Sequence, residues 1–174
     1  MNTITDNTLY WAKTNENAII PTKSEENAGY DIYANFEEDY LIINPCETKL
    51  IPTGVACAVS DEYYLQVQER GSTGSKGMKY GAGVIDSGYR GEIFIAITNT
   101  NEIPVCIVKE NIEYNRIKLD TYPYTNVILY PISKGIAQLV VHNVPKMKPV
   151  IIDYEELKKI PSDRQEGNLG SSGK

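Results

Sequence analysis

The densest chemistry in this chain lies in Gly83-Val84-Ile85-Asp86-Ser87-Gly88-Tyr89-Arg90-Gly91-Glu92. Asp86 stands before a Ser-Gly turn signal, and a carboxylate held on a tight turn, with an aromatic ring three residues on, is suited to taking a proton from water at a pocket wall. A lone aspartate before Ser-Gly more commonly caps the turn by bonding its own backbone, and the residues alone leave both roles open. Arg70-Gly71-Ser72-Thr73-Gly74-Ser75-Lys76-Gly77 packs glycine, hydroxyls and two cations into eight positions. Free backbone N–H groups, hydroxyls and cations of that kind converge on phosphate oxygens, although the spacing is not Walker A and a plain glycine-rich surface loop has the same composition. In Ala28-Gly29-Tyr30-Asp31-Ile32, Gly29 permits a close backbone approach, and Asp31 is suited to orienting a metal-bound water or to closing a turn. Gln138, inside the apolar run from Gly135 to Val141, needs a hydrogen-bond partner in the core or on a ligand.

The elements that would carry these residues read as short strands. Val84 and Ile85, followed after the turn by the apolar run Ile93 to Ile97, predict a tight β-hairpin feeding a buried strand. Pro, Gly and Asn/Asp punctuation separates further runs at Tyr40–Ile43, Val55–Val59 and Tyr63–Val67, the spacing of an all-β sandwich or jelly roll. Helix-period segments are scarce, the best being Asp153 to Lys159 before Pro161. An excursion over about 103–133, rich in tyrosine (Tyr114, Tyr122, Tyr124, Tyr130), is expected to lie outside the catalytic core as an insertion and to offer a surface for a protein partner. The layout is thus a β domain over 1–160 and a Gly- and Ser-rich stretch over 161–174. That stretch reads as a passive linker or as a flexible arm whose Arg164, Ser171 and Ser172 order over an anionic ligand.

Composition narrows the partners. The 174 residues carry a net charge of −6, which opposes broad binding to nucleic acid or to an acidic membrane surface. Between Glu69 and Arg90, however, Arg70, Lys76, Lys79 and Arg90 outnumber Glu69 and Asp86, a local balance that suits a small anionic ligand. Cys46, Cys57 and Cys106 are odd in number and lack Cys-x-x-Cys spacing, so they read as free, partly buried thiols without a zinc site. No apolar run approaches the ~18 residues of a membrane span, and the N-terminus has no signal pattern, so the expected location is cytoplasmic. His142 is the single histidine, which excludes histidine clusters as metal sites and reads as structural in its apolar run.

Taken in order, these stretches resemble the five motifs of the trimeric dUTPase family: Ala28–Ile32 the first, Arg70–Lys76 the second, Gly83–Glu92 the third, Gly135–Leu139 the fourth and Arg164–Gly173 the fifth. The resemblance implies a jelly-roll subunit, a homotrimer with shared active sites, Mg²⁺ dependence, and hydrolysis of dUTP to dUMP and pyrophosphate. Such a reaction keeps uracil out of DNA and supplies dUMP. Carried over by position, it makes Asp86 the base that activates water, Tyr89 the ring that leaves no room for a ribose 2′-hydroxyl, and Gly83, Val84 and Ile85 the backbone around the uracil. It also assigns phosphate contacts to Arg70, Gly71 and Ser72, and the metal and triphosphate region to Asp31, through water, and Gln138. Arg164, Leu169, Gly170, Ser171 and Ser172 would close over the nucleotide.

Several positions depart from the family pattern. Glu69 replaces a usual proline, Gly71 a serine, Gly135 the fourth motif's arginine, and Leu169 the phenylalanine that stacks on the base. Losing base–aromatic stacking is worth on the order of ~1–3 kcal/mol. Two alternatives accompany the main reading: a catalytically weak nucleotide-binding or regulatory protein of the same fold, and a relative of dCTP deaminase. The latter family's catalytic glutamate would fall at Ala96, and without that carboxylate deamination lacks its proton shuttle.

Overall fold

The computed structural model describes residues 4, 7–81, 83–110, 112 and 114–163. The chain divides into two compact units, Met1–Val144 and Pro145–Lys174, so the first ends well before position 160. In chain order the first unit contains β1 (Tyr10–Lys13), β2 (Gly29–Ile32), β3 (Tyr40–Ile43), β4 (Thr48–Pro52), β5 (Val55–Ala58), β6 (Tyr63–Gln68), α1 (Gly71–Gly74), β7 (Met78–Gly81), β8 (Val84–Ile85), β9 (Phe94–Asn99), β10 (Val105–Val108), α2 (Tyr114–Asp120), β11 (Ile128–Pro131) and β12 (Ala137–Asn143). The second unit holds α3 (Tyr154–Lys158), the helix expected before Pro161.

The strands form four small sheets, ordered β2-β12-β6-β8, β4-β9-β7, β11-β10-β3 and β1-β5. All pairs are antiparallel except β10 with β11. Each sheet turns apolar residues inward: Ile32, Leu65 and Leu139 from the first, Ile51, Ile95, Ile97 and Met78 from the second, Ile43, Val105, Ile107 and Tyr130 from the third, Cys57 from the fourth. This is the all-β architecture that the strand punctuation predicts, with little helix.

The hairpin expected over 83–92 does not form. β8 pairs with β6, with Leu65 opposite Ile85 and Gln66 opposite Val84. The chain then turns at Asp86–Tyr89, closed by Tyr89 N–H donating to the Asp86 carbonyl at 3.0 Å, and crosses to β9 in another sheet. The reason is competition for the same groups. Ile93 N–H donates to the Val55 carbonyl at 2.8 Å, Thr53 Oγ1 donates to the Ile93 carbonyl at 2.6 Å, and the Glu92 carboxylate accepts from the Thr53 and Gly54 N–H groups at 3.0 and 2.8 Å. Residues 92 and 93 are therefore bound to the turn between β4 and β5 and cannot pair with β8.

The excursion over 103–133 also needs correction, because β10 and β11 are core strands within it. Val105, Cys106, Ile107 and Tyr130 are buried. Only the segment between these strands projects, and it is tied down: Ile117 and Thr121 of that segment are buried, Arg116 Nη1 meets Asp39 Oδ2 at 2.8 Å, and Tyr40 hydrogen-bonds Asp120. Replacing 111–126 by a brief turn is expected to preserve the dUTP hydrolysis that the resemblance implies, since loop length costs little in closure entropy. Losing Ile117 burial, worth about 1.5–3 kcal/mol, should lower the melting temperature by roughly 5 °C. Calorimetry beside an activity assay checks both; lost activity would make the segment part of the site.

Candidate active site

Strand register assembles the first cleft. Asp31 of β2 lies opposite Gln138 of β12, which lies opposite Gln68 of β6, so the three share one face. Two residues beyond Gln68, Arg70 swings back across that row. Its Nε and Nη2 meet Asp31 Oδ1 and Oδ2 at 2.8 and 2.9 Å, a bidentate pair, and its Nη1 donates to the Gly135 carbonyl at 2.9 Å. Partial burial opposes the charge on Arg70, but Asp31 outweighs it and holds the guanidinium above its ordinary range. Gln138 Nε2 donates to the Glu69 carbonyl at 2.8 Å, which satisfies the polar group left open in the apolar run. Gly29 makes room for this side chain, because a Cβ there would sit 2.8 Å from Gln138 Oε1. Asp31, Arg70, Gly71, Ser72 and Gln138 line a cleft of about 480 Å³ together with Glu26, Asn27 and Ala28, and neither Glu26 nor Asn27 carries any signal in the sequence.

The glycine-rich stretch after Arg70 is not a loop but the helical turn α1. Arg70 N–H donates to Thr73 Oγ1 at 3.2 Å, and the Thr73 and Gly74 N–H groups both donate to the Arg70 carbonyl. Short polar side chains at a helix start compete well for such groups, which is why Gly-Ser-Thr-Gly coils here. The N–H groups from Thr73 to Gly77 are committed to backbone carbonyls, so the flexible cradle expected from composition is absent among the described residues. Gly71 and Ser72 alone of this turn line the cleft with Arg70.

The turn after β8 builds a second cleft, of about 220 Å³, lined by Val84, Ile85, Asp86, Tyr89, Glu92, Ile93 and Phe94. Asp86 is exposed, and among the described residues its carboxylate has no hydrogen-bond or ion-pair partner. The turn is closed by Tyr89 N–H and braced by the Arg90 side chain, not by the Asp86 carboxylate, so the capping role does not apply. Tyr89 is fixed from behind: its Oη donates to the Glu92 carbonyl at 2.8 Å and the ring lies over Gly91, where a Cβ would come within 2.6 Å of that oxygen. Gly83 holds the start of β8 by accepting from Val67 N–H at 2.7 Å. Phe94 is a cleft residue that the apolar run did not single out.

The cations counted together in the sequence do not act together. Arg70 belongs to the first cleft, Lys79 reaches Glu69 at 4.0 Å, and Arg90 folds back on the Ser87 and Tyr89 carbonyls. The two clefts share no lining residue within one chain. Cys57 and Cys106 are buried, with burial raising both thiols, whereas Cys46 is exposed at a turn with φ 58°. His142 is exposed and stacks on Tyr64, with ring centroids 5.3 Å apart. Arg164, Leu169, Gly170, Ser171 and Ser172 lie outside the described residues.

Fold and clefts together define an all-β protein with an exposed carboxylate on the turn after β8 and a separate cleft centred on Arg70. Comparison with known proteins gives that class its place. The dUTPase family model matches residues 15–112, and the chain belongs to the dUTPase family. It is 32% identical over 169 residues to the deoxyuridine 5′-triphosphate nucleotidohydrolase of Nautilia profundicola, covering 93% of this chain and 96% of that protein. With the enzyme of the same description from Caldanaerobacter subterraneus subsp. tengcongensis it shares 31% over 156 residues, covering 86% and 84%. Among solved structures, a Staphylococcus bacteriophage 80alpha dUTPase variant with dUpNHpp superposes with a TM-score of 0.68 at 25% identity, over 96% of this chain and 99% of that one.

Proposed function

We propose that the chain hydrolyses dUTP to dUMP and pyrophosphate, with Asp86 as the base. The observation that carries this reading is the unpartnered Asp86 carboxylate at the rim of the cleft that Tyr89 walls. A water between Asp86 and the α-phosphorus gives a proton to the carboxylate as its oxygen bonds phosphorus. The bond from phosphorus to the α,β-bridging oxygen breaks on the opposite side, and pyrophosphate leaves with that electron pair. Val84, Ile85 and Gly83 frame the uracil, and Tyr89, held on Glu92 and Gly91, limits the space beside the sugar. Arg70, Gly71 and Ser72 bind phosphate oxygens. Arg70 has five N–H bonds, of which Asp31 and Gly135 take three and Ser72 Oγ a longer fourth at 3.4 Å, so it keeps one free donor, on Nη2, for a ligand.

Among the described residues, no three His, Cys, Asp or Glu side chains converge to cage a cation. That donor set fits Mg²⁺ carried on the phosphates, because this ion keeps several waters and needs only one or two carboxylates from a protein. Asp31 and Gln138 Oε1 would border it through water, and it would neutralise charge on the leaving phosphates. The family resemblance implies a homotrimer with shared active sites, and two clefts that share no lining residue within one chain are compatible with one copy giving the Asp86 turn and another the Arg70 cleft. The outward face of β4-β9-β7 supports this, with Leu50 63% and Phe94 47% exposed beside Ala96 and Gly81. Ala96 brings no carboxylate to that strand, which leaves the deaminase reading without its shuttle. Buried thiols suit a reducing cytoplasm, and the exposed Leu119 and Tyr122 of the tethered segment suit a protein partner.

Pyrophosphate release from dUTP and from UTP tests the reading directly. The parent should turn over dUTP and spare UTP. Tyr89→Ala is expected to accept UTP, with the dUTP/UTP ratio of kcat/KM falling at least ~10-fold. An unchanged ratio would remove Tyr89 from sugar selection, and a parent inert toward dUTP would overturn the function.

A further inference from the structure

Gly135 lacks the arginine that its motif usually carries, and the backbone there is held with unusual thoroughness. Ile136 N–H donates to the Ile32 carbonyl at 2.8 Å, Lys134 N–H closes a turn on the Pro131 carbonyl at 3.1 Å, and Tyr80 Oη donates to the Ile136 carbonyl. The Gly135 carbonyl accepts twice, from Tyr130 Oη at 2.7 Å and from Arg70 Nη1 at 2.9 Å. A carbonyl oxygen has two lone pairs, and here both are used. Tyr130 is 1% exposed, so no solvent water replaces its bond if it is lost.

We propose that Tyr130 is a positioning residue for Arg70: its buried hydroxyl fixes the Gly135 carbonyl, and that carbonyl fixes the one edge of the guanidinium that Asp31 does not hold. The proposal rests on Arg70 being a phosphate ligand. Asp31 grips Nε and Nη2, which sets one edge of the fork but leaves the whole pair free to rock on two flexible side chains. A third point, on Nη1, removes that freedom; Ser72 Oγ approaches this nitrogen only at 3.4 Å, whereas the Gly135 carbonyl stands at 2.9 Å. The Gly135 peptide can supply the third point only while it keeps its orientation. Tyr130 Oη is the side-chain donor that shares this oxygen, and it comes from β11, a core strand paired with β10. A side chain at position 135 would compete for this place, since a Cβ there would stand 3.2 Å from Asp31 Cβ. The glycine and the tyrosine thus belong to one arrangement, in which backbone and phenol together orient the cation. A preorganised guanidinium binds an anion without ordering cost, so looseness at Arg70 should weaken phosphate binding specifically.

Tyr130→Phe tests this, because it removes the hydroxyl and keeps the ring. Full-length parent and variant are titrated with inorganic pyrophosphate and, separately, with deoxyuridine, which lacks phosphate and reports on the Asp86 cleft. Melting temperature and the exchange rate of the Arg70 Nε–H proton by NMR are recorded on the same samples. Pyrophosphate affinity is expected to fall about tenfold and Nε–H exchange to quicken, with deoxyuridine affinity within about twofold and the melting temperature shifted by only a few degrees. Unchanged pyrophosphate affinity and exchange would overturn the proposal. So would a parallel fall in deoxyuridine affinity and melting temperature, which would make Tyr130 a general support of the fold. If the parent fails to hydrolyse dUTP while these binding results hold, the proposed reaction falls and the positioning role stands. If the parent binds no pyrophosphate, the phosphate role of Arg70 falls, and the proposal falls with it.

Discussion

Asp86→Asn is expected to lower dUTP turnover at least ~10²-fold while leaving the fold and nucleotide affinity nearly intact. Asparagine matches aspartate in shape, and the Asp86 side chain has no partner among the described residues to lose. The turn that carries it is closed by Tyr89 N–H on the Asp86 carbonyl, a backbone bond the substitution does not touch. What the amide cannot do is take a proton from the attacking water. Because the carboxylate's proton transfer belongs to the transition state, kcat and kcat/KM should fall by the same factor and KM should hardly move. Affinity for the slowly hydrolysed dUpNHpp, compared in parent and variant, separates binding from chemistry. Turnover within a few-fold of the parent would show that water is activated without Asp86.

The strands were readable because each is a local event: Tyr63 to Val67 alternates, Val55 to Val59 is apolar throughout, and Gly or Pro marks the ends. The sheet partners were not, because they depend on groups far apart. Nothing local reveals that Glu92 spends its carboxylate on Thr53 and Gly54, yet that long-range bond is what sends β8 to β6 and cancels the expected hairpin. Tyr130 is a similar case. In the sequence it is one tyrosine of a polar, tyrosine-rich excursion, and only the pairing of β10 with both β3 and β11 makes it a core residue beside Gly135. Site residues were legible as types, since a lone arginine, aspartate and glutamine among glycines have few other reasons to stand there. Their grouping into two clefts, and the commitment of Asp31 to Arg70 across 39 positions, needed the register of β2 on β12.

Arg70→Met should produce the largest combined loss, in activity and in stability at once. Methionine keeps most of the stem's volume and removes every donor. If Arg70 binds charge that develops on the phosphates, kcat/KM should drop by ~10²–10³, the usual cost of deleting one such donor. The fold should also lose about 1–3 kcal/mol, because the carboxylate of Asp31 and the Gly135 carbonyl are left without their cationic partner in a half-buried cleft. Both ends of the ion pair are partly exposed, at 27% and 31%, so water softens this penalty relative to a fully buried pair. Asp31→Asn removes the stranded charge. The double variant Arg70→Met with Asp31→Asn should therefore melt above the sum of the two single losses, by the coupling expected of contacting residues, about 0.5–3 kcal/mol. Its activity should stay as low as that of Arg70→Met, because relieving the stranded carboxylate restores no phosphate donor. Recovery of turnover in the double variant would show that Arg70 serves only to neutralise Asp31, and the anion would then have to be held by Gly71 and Ser72, the residues of α1 that line the cleft.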